Sequence, residues 1–112
     1  MVKYNKIVRD KIPDIIKKDG GTCETMVVNN YEATKYLIDK VKEEATELKA
    51  VGFVEGEMIM ELADILECIL GIANKMSIPM DRIEFVRANR AVERGGFNKN
   101  IILLEATAQK GT

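Results

Sequence analysis

The chain has 112 residues, 46% of them hydrophobic and 31% charged, and its 17 basic and 18 acidic side chains leave a formal net charge of -1. That length suits one domain with a modest core, and the even charge balance gives no general electrostatic support for binding a nucleic-acid polymer or an acidic membrane. Histidine is absent, which removes imidazole acid-base chemistry and histidine-based zinc sites together, so any catalysis rests on carboxylates, bases, hydroxyls or bound metal.

In chain order, residues 3–8, KYNKIV, are expected to form a short strand or an extended arm. A short helix follows, capped by Asp10 and admitting Pro13 in its first turn, until Gly20-Gly21 ends it. The β-branched stretch TCETMVV, residues 22–28, reads as a strand. Asn29 with Glu32 three residues on marks a helix start, and a helix of about 20 residues then runs to Val51. Its apolar stripe is Ala33, Leu37, Val41, Ala45 and Leu48. GFVEG, Gly52 to Gly56, is a connection of the length that joins antiparallel helices.

The next helix, over 57–76, has 13 apolar residues in 20 and is apolar nearly all round. Such a helix is buried on several sides, here by its own neighbours and by a partner subunit. A third long helix begins near Pro79 and ends at Gly95-Gly96, and residues 100–104 read as a strand able to pair with the amino-terminal arm or with TCETMVV. The expected fold is mainly α: one domain over 1–112, an antiparallel helical hairpin plus a third long helix, with short flanking β-strands. Cys23 and Cys68 are expected as free thiols, Cys68 buried among Leu66, Ile69 and Leu70. The charged opening MVKYNKIVRDK does not suit a signal peptide, and no apolar run approaches the roughly 20 residues of a membrane span, so a cytoplasmic setting without a membrane is expected.

The stretch EMIMELADILE, residues 57–67, carries four carboxylates and no base. A solvated helix usually interleaves signs, so that each acid gains a few tenths of a kcal/mol from a base one turn away. Around the helical hairpin the acids are mirrored: Glu47 and Glu61 lie seven residues either side of Val54, and Glu44 and Asp64 lie ten either side. Antiparallel packing therefore puts two acids opposite two acids at matching depths. Like charges about 4 Å apart repel by roughly 4 kcal/mol at an effective dielectric of 20, which is large beside ordinary folding stabilities. Proton uptake, a basic group from elsewhere in the fold or a divalent cation would relieve it. An oxygen-only donor set selects hard ions, and Mg²⁺ commonly combines a few carboxylates with waters and substrate phosphates. The plainer account is a solvated acidic face.

The pattern E-E-x-x-E, thirteen residues, then E-x-x-D, formed by Glu43, Glu44, Glu47, Glu61 and Asp64, resembles the signature of the MazG-like all-α nucleotide pyrophosphohydrolases. The opening YNKIVRDKIP and the closing ERGGFNKNIILLE resemble the subgroup related to phosphoribosyl-ATP pyrophosphohydrolase. The resemblance implies a helical bundle that binds Mg²⁺, with Mn²⁺ as a substitute, and cleaves a nucleoside triphosphate or a related nucleotide such as phosphoribosyl-ATP between its α and β phosphates, releasing pyrophosphate. It implies Glu44, Glu47, Glu61 and Asp64 as metal ligands, and Glu43, Glu44 and Glu47 as the catalytic acids, Glu43 either handling water or pairing with Lys40.

A triphosphate also needs cations. Arg87, Arg90 and Arg94 recur at three and four residues, with Lys99 beyond them. Arg87 is equally accounted for by Glu84 and the helix dipole, whereas the resemblance favours phosphate contact for Arg90 and Arg94. It places the amino-terminal arm near the site, making Arg9 and Lys11, with Lys40, further substrate contacts. Base recognition could use Phe97, Tyr36 or Tyr4, although packing accounts for each as well. A homodimer or homotetramer is expected. The rival reading is a non-catalytic helical oligomerisation module whose acids hold a structural ion or form salt bridges.

Overall fold

The structure, a computed structural model, describes residues 3–107 in two units, one running through Met80 and the other from Asp81. The first unit contains an irregular arm over residues 3–11 and three helices, α1 (Ile12–Lys18), α2 (Asn30–Ala50) and α3 (Glu55–Lys75). The second holds α4 (Met80–Arg94) and the irregular segment after it. The protein is thus mainly helical, and among the described residues no helix is long and apolar enough to cross a membrane.

Local chemistry accounts for most helix ends. Lys11 rather than Asp10 precedes α1, with no side-chain cap, and Pro13 lies in the first turn, where a missing N–H costs nothing. At the other end Gly20 takes φ +87°, and the N–H groups of Gly20 and Gly21 donate to the carbonyls of Lys17 and Ile16. That pairing is a Schellman closure, which needs a residue at ease in the left-handed region. The Asn29 side chain accepts from the Glu32 N–H at 2.8 Å and starts α2 as expected. Gly52, at φ +68°, turns the chain out of α2. The following helix begins at Glu55, two residues earlier than its apolar pattern indicated, so Gly56 lies inside it.

Helices α2 and α3 form an antiparallel hairpin. A Cβ on Gly71 would stand 3.2 Å from a Leu37 methyl, and Glu44 approaches Asp64. Both pairs are centred on Val54, so the register mirrored about that residue is the one the helices adopt. The seam differs from the expected stripe in one position. Ala33 is buried and Leu37, Val41 and Leu48 are half-buried, but Ala45 is exposed and Glu44, at 8% exposure, takes its place inward. An acid therefore occupies a core position on α2.

The expected strands do not form; among the described residues there is no strand. Met26, Val27 and Ile101 to Leu104 instead stand exposed. A strand is held by a ladder partner, and β-branched composition supplies propensity without supplying that partner.

Candidate functional site

The seam of the hairpin brings three acids together. Glu44 on α2 and Glu61 and Asp64 on α3 each offer a carboxylate oxygen, and these oxygens all lie within 4.8 Å of one another. Glu61 and Asp64 are one helical turn apart on the half-buried face of α3, on which Cys68 is buried a turn further on. Cys68 and Cys23 are both free thiols, and burial pushes the Cys68 thiol up.

The electrostatics of the three acids differ. Asp64 accepts a hydrogen bond from the Arg9 guanidinium, Nη2 to Oδ1, at 2.7 Å. Glu44 has Lys40 at 3.8 Å, close enough to attract but beyond hydrogen-bond reach. Glu61 has no base among the described residues: its Oε2 is buried and unpartnered there. Its carboxyl is pushed up to about 7, first by sharing a hydrogen bond with Glu44, then by burial and by the charges of Glu44, Asp64 and Glu47. Of the ways to relieve carboxylate repulsion, imported bases serve Asp64 and Glu44, and the raised Glu61 carboxyl favours proton uptake, while one Glu61 oxygen stays unmatched.

Glu47, the fourth acid of the expected set, is not among the three brought together; it is exposed. Helical geometry accounts for this. Going from Glu44 to Glu47 and from Asp64 to Glu61 turns about 60° on each helix. Seen from one end of an antiparallel pair the two turns have the same sense, so they carry the second acids to opposite edges of the seam. Mirrored depth is not mirrored angle. Glu61 stays inward beside Glu44, while Glu47 turns to solvent.

Glu43, expected either to handle water or to pair with Lys40, instead accepts from Lys6 Nζ at 2.9 Å, and that bond holds its carboxyl below the usual range. Lys6 was not among the expected site residues; 37 positions separate it from Glu43 and no local pattern joins them. Lys11 precedes α1 and lines a surface depression with Asp14, Ile15, Lys17 and Lys18 that includes none of the acids. Arg90 and Arg94 are exposed on α4, in the second unit. Arg87 donates to Glu84 through two nitrogens, at 2.8 and 2.6 Å, as the simpler account of that residue held. Phe97 and Tyr4 are exposed and Tyr36 is half-buried.

The donor set fits a hard divalent cation. It is all oxygen, one member is a buried oxygen without a partner, and the spacing is near that of a shared ion. Ligand atoms 2.0–2.1 Å from Mg²⁺ lie about 2.9 Å apart when adjacent on an octahedron and about 4.2 Å when opposite, so side chains whose oxygens lie within 4.8 Å of one another close inward to share an ion. Glu44, Glu61 and Asp64 are the residues that could hold it. Compared with known proteins, the chain matches no family model, no curated protein and no solved structure.

Proposed function

We propose that this chain is a Mg²⁺-dependent nucleotide pyrophosphohydrolase of the MazG-like kind, acting on a nucleoside triphosphate or a related nucleotide such as phosphoribosyl-ATP. Water adds at the α phosphorus, the bond from that phosphorus to the bridging oxygen breaks, and a monophosphate and pyrophosphate result. The observation that carries this reading is the buried, unpartnered Glu61 Oε2 set against Glu44 and Asp64 across the hairpin. Three acids held together in a seam are costly, and a ligand that repays the cost is the simplest reason for them.

Glu44, Glu61 and Asp64 hold the ion, with Mn²⁺ as a substitute. When bound, the ion supplies charge neutralisation for the phosphates and a lowered pKa for water. Glu47, exposed at the edge of the seam, is the acid placed to orient water. Lys40, Arg9 and Lys11 offer cations to the phosphates. The substrate is a soluble nucleotide of the cytoplasm.

The active form is an oligomer of this chain, at least a dimer. On α3 the residues Ile59, Leu62, Leu66 and Ile69 recur at three and four positions and are 57, 51, 54 and 37% exposed. That spacing is the one by which a helix meets another helix in a bundle. A second copy presents the same stripe and so provides a matching apolar surface.

The test is pyrophosphate release from a panel of nucleotides with Mg²⁺. Turnover that is lost in Glu47→Gln and Asp64→Asn while the helical circular dichroism stays intact supports the enzyme. A second reading, a non-catalytic oligomerisation module, is favoured by one observation: Arg9 and Lys40 already attend two of the acids. Absence of turnover across a broad panel, in a protein that still oligomerises, selects that module.

A further inference from the structure

The base nearest the acid cluster comes from the arm, not from the hairpin. Arg9 Nη2 stands 2.7 Å from Asp64 Oδ1, and Lys6 Nζ stands 2.9 Å from Glu43 Oε1, so two charges of one short segment clasp one acid on each helix. The Tyr4 ring lies 5.6 Å from Lys6 Nζ, within cation–π range, and helps to place that lysine. Little else fastens the arm. Among the described residues, no backbone hydrogen bond ties residues 3–8 to α2 or α3, and Arg9 and Lys6 are 54 and 39% exposed. Exposed ion pairs of this kind are weak and open readily.

Resting on the metal reading above, we propose that the arm is a cation-released latch, in which Arg9 occupies Asp64 until a divalent ion takes its place. A guanidinium N–H donated at 2.7 Å to Asp64 Oδ1 takes one lone pair of that oxygen and holds the carboxylate toward the arm, so a metal drawing on the same oxygen competes with Arg9 for it. A doubly charged ion among Glu44, Glu61 and Asp64 also repels the guanidinium beside it, while the same ion gains the Glu61 oxygen that Arg9 does not reach. Ion binding and arm closure therefore oppose each other at Asp64. The clasp between Lys6 and Glu43 lies outside the three-acid set, so it slows the release without blocking the ion. The cation then does two things at once: it completes the acid cluster and opens the approach to it.

The experiment uses the full chain and Mg²⁺ alone, with no nucleotide. Trypsin cleavage in the arm, after Lys6 and Arg9, whose side chains the two carboxylates hold, should speed up when Mg²⁺ is added, while hydrogen exchange in α2 and α3 slows. Calorimetric titration should give an Mg²⁺ affinity about 2- to 5-fold tighter for Arg9→Gln than for the unaltered chain, the factor corresponding to an exposed ion pair. Lys6→Gln should shift affinity in the same direction by less. Lys3→Gln removes an arm charge with no ion pair among the described residues and should leave it unchanged, which separates the latch from a general loss of positive charge. Mg²⁺ that binds with equal affinity to the Arg9→Gln chain, or that leaves cleavage in the arm of the unaltered chain as slow as before, overturns the latch and leaves the metal reading standing. Failure of Mg²⁺ to bind the unaltered chain or any variant overturns both.

Discussion

The two faces of α3 invert the usual arrangement of an amphipathic helix. The face turned to α2 carries Glu61 and Asp64 half-buried in line with Cys68, whereas the opposite stripe of Ile59, Leu62, Leu66 and Ile69 stands exposed. Within the chain, only Ala33, Cys68 and Ala73 are buried apolar residues among those described, so the hairpin seam buries few large side chains. An acid that is buried and an isoleucine that is not are both unfavourable in isolation. On the proposed reading each face is completed from outside: the inner one by a cation, the outer one by a second copy.

Breaking the outer face should have the largest effect. Leu62→Glu with Leu66→Glu puts two charges where two leucines would be covered, and each covered leucine contributes about 1.5–3 kcal/mol. Size-exclusion chromatography with light scattering should show the unaltered chain as an oligomer and the double variant as a monomer. A stripe that is not an interface would leave the two indistinguishable.

Breaking the inner face should cost activity more than structure. Glu44→Gln and Asp64→Asn keep shape and remove a charge each, so turnover should fall about 100-fold or more, near 3 kcal/mol in the barrier. The melting temperature without Mg²⁺ should hold or rise, because repulsion within the cluster is relieved. Loss of activity together with a large drop in melting temperature would mean that these acids serve the fold instead.

How much of this contrast could be read from residues alone depends on range. The Asn29 cap, the Gly20 and Gly95 closures and the short turn after Gly52 are set by neighbours within four residues, and all stand where the sequence put them. Depth along the hairpin was equally legible, since Val54 is the mirror for Leu37 with Gly71 and for Glu44 with Asp64. Angle around the helices was not. The inward placement of Glu44 in place of Ala45 is a one-residue choice of phase, and the divergence of Glu47 from Glu61 follows from the handedness of both helices together. Arg9 meets Asp64 across 55 positions, a pairing that no local pattern encodes. The expected strands failed for the same reason, since a ladder requires a partner distant in the chain.

The Glu61 proton gives a smaller and directional prediction. The folded chain keeps the Glu61 proton up to about 7, whereas the unfolded chain releases it near 4.5. Without divalent cations, this group therefore favours folding most at low pH. Its contribution declines as pH rises from about 4.5 to about 7 and is level above that. Thermal melts in chelator across that range should show the decline, and Glu61→Gln, which has no proton to lose, should flatten it. Added Mg²⁺ should raise the melting temperature more at pH 8 than at pH 5, since the ion must displace the proton and stabilises only the state that binds it. Stabilisation that is independent of pH would place the ion elsewhere.

The smallest effect lies at the far end of the seam from the acids. Gly71 is interior to α3, where glycine costs about 1 kcal/mol relative to alanine through backbone entropy. An added Cβ meets the two Leu37 methyls at 3.2 and 3.6 Å, the first a few tenths of an ångström too close. Leu37 is half-buried, and the atoms met are the ends of its side chain, so it can yield by a small rotation. Gly71→Ala should accordingly raise the melting temperature slightly, by less than the full helix-propensity gain. Gly71→Val adds a branched group that a methyl shift cannot clear, and it should lower stability by forcing the helices apart. If both substitutions stabilise, the approach of Leu37 to Gly71 is loose; if both destabilise, the seam is packed tightly enough at this depth to hold the acids in place without help from the arm.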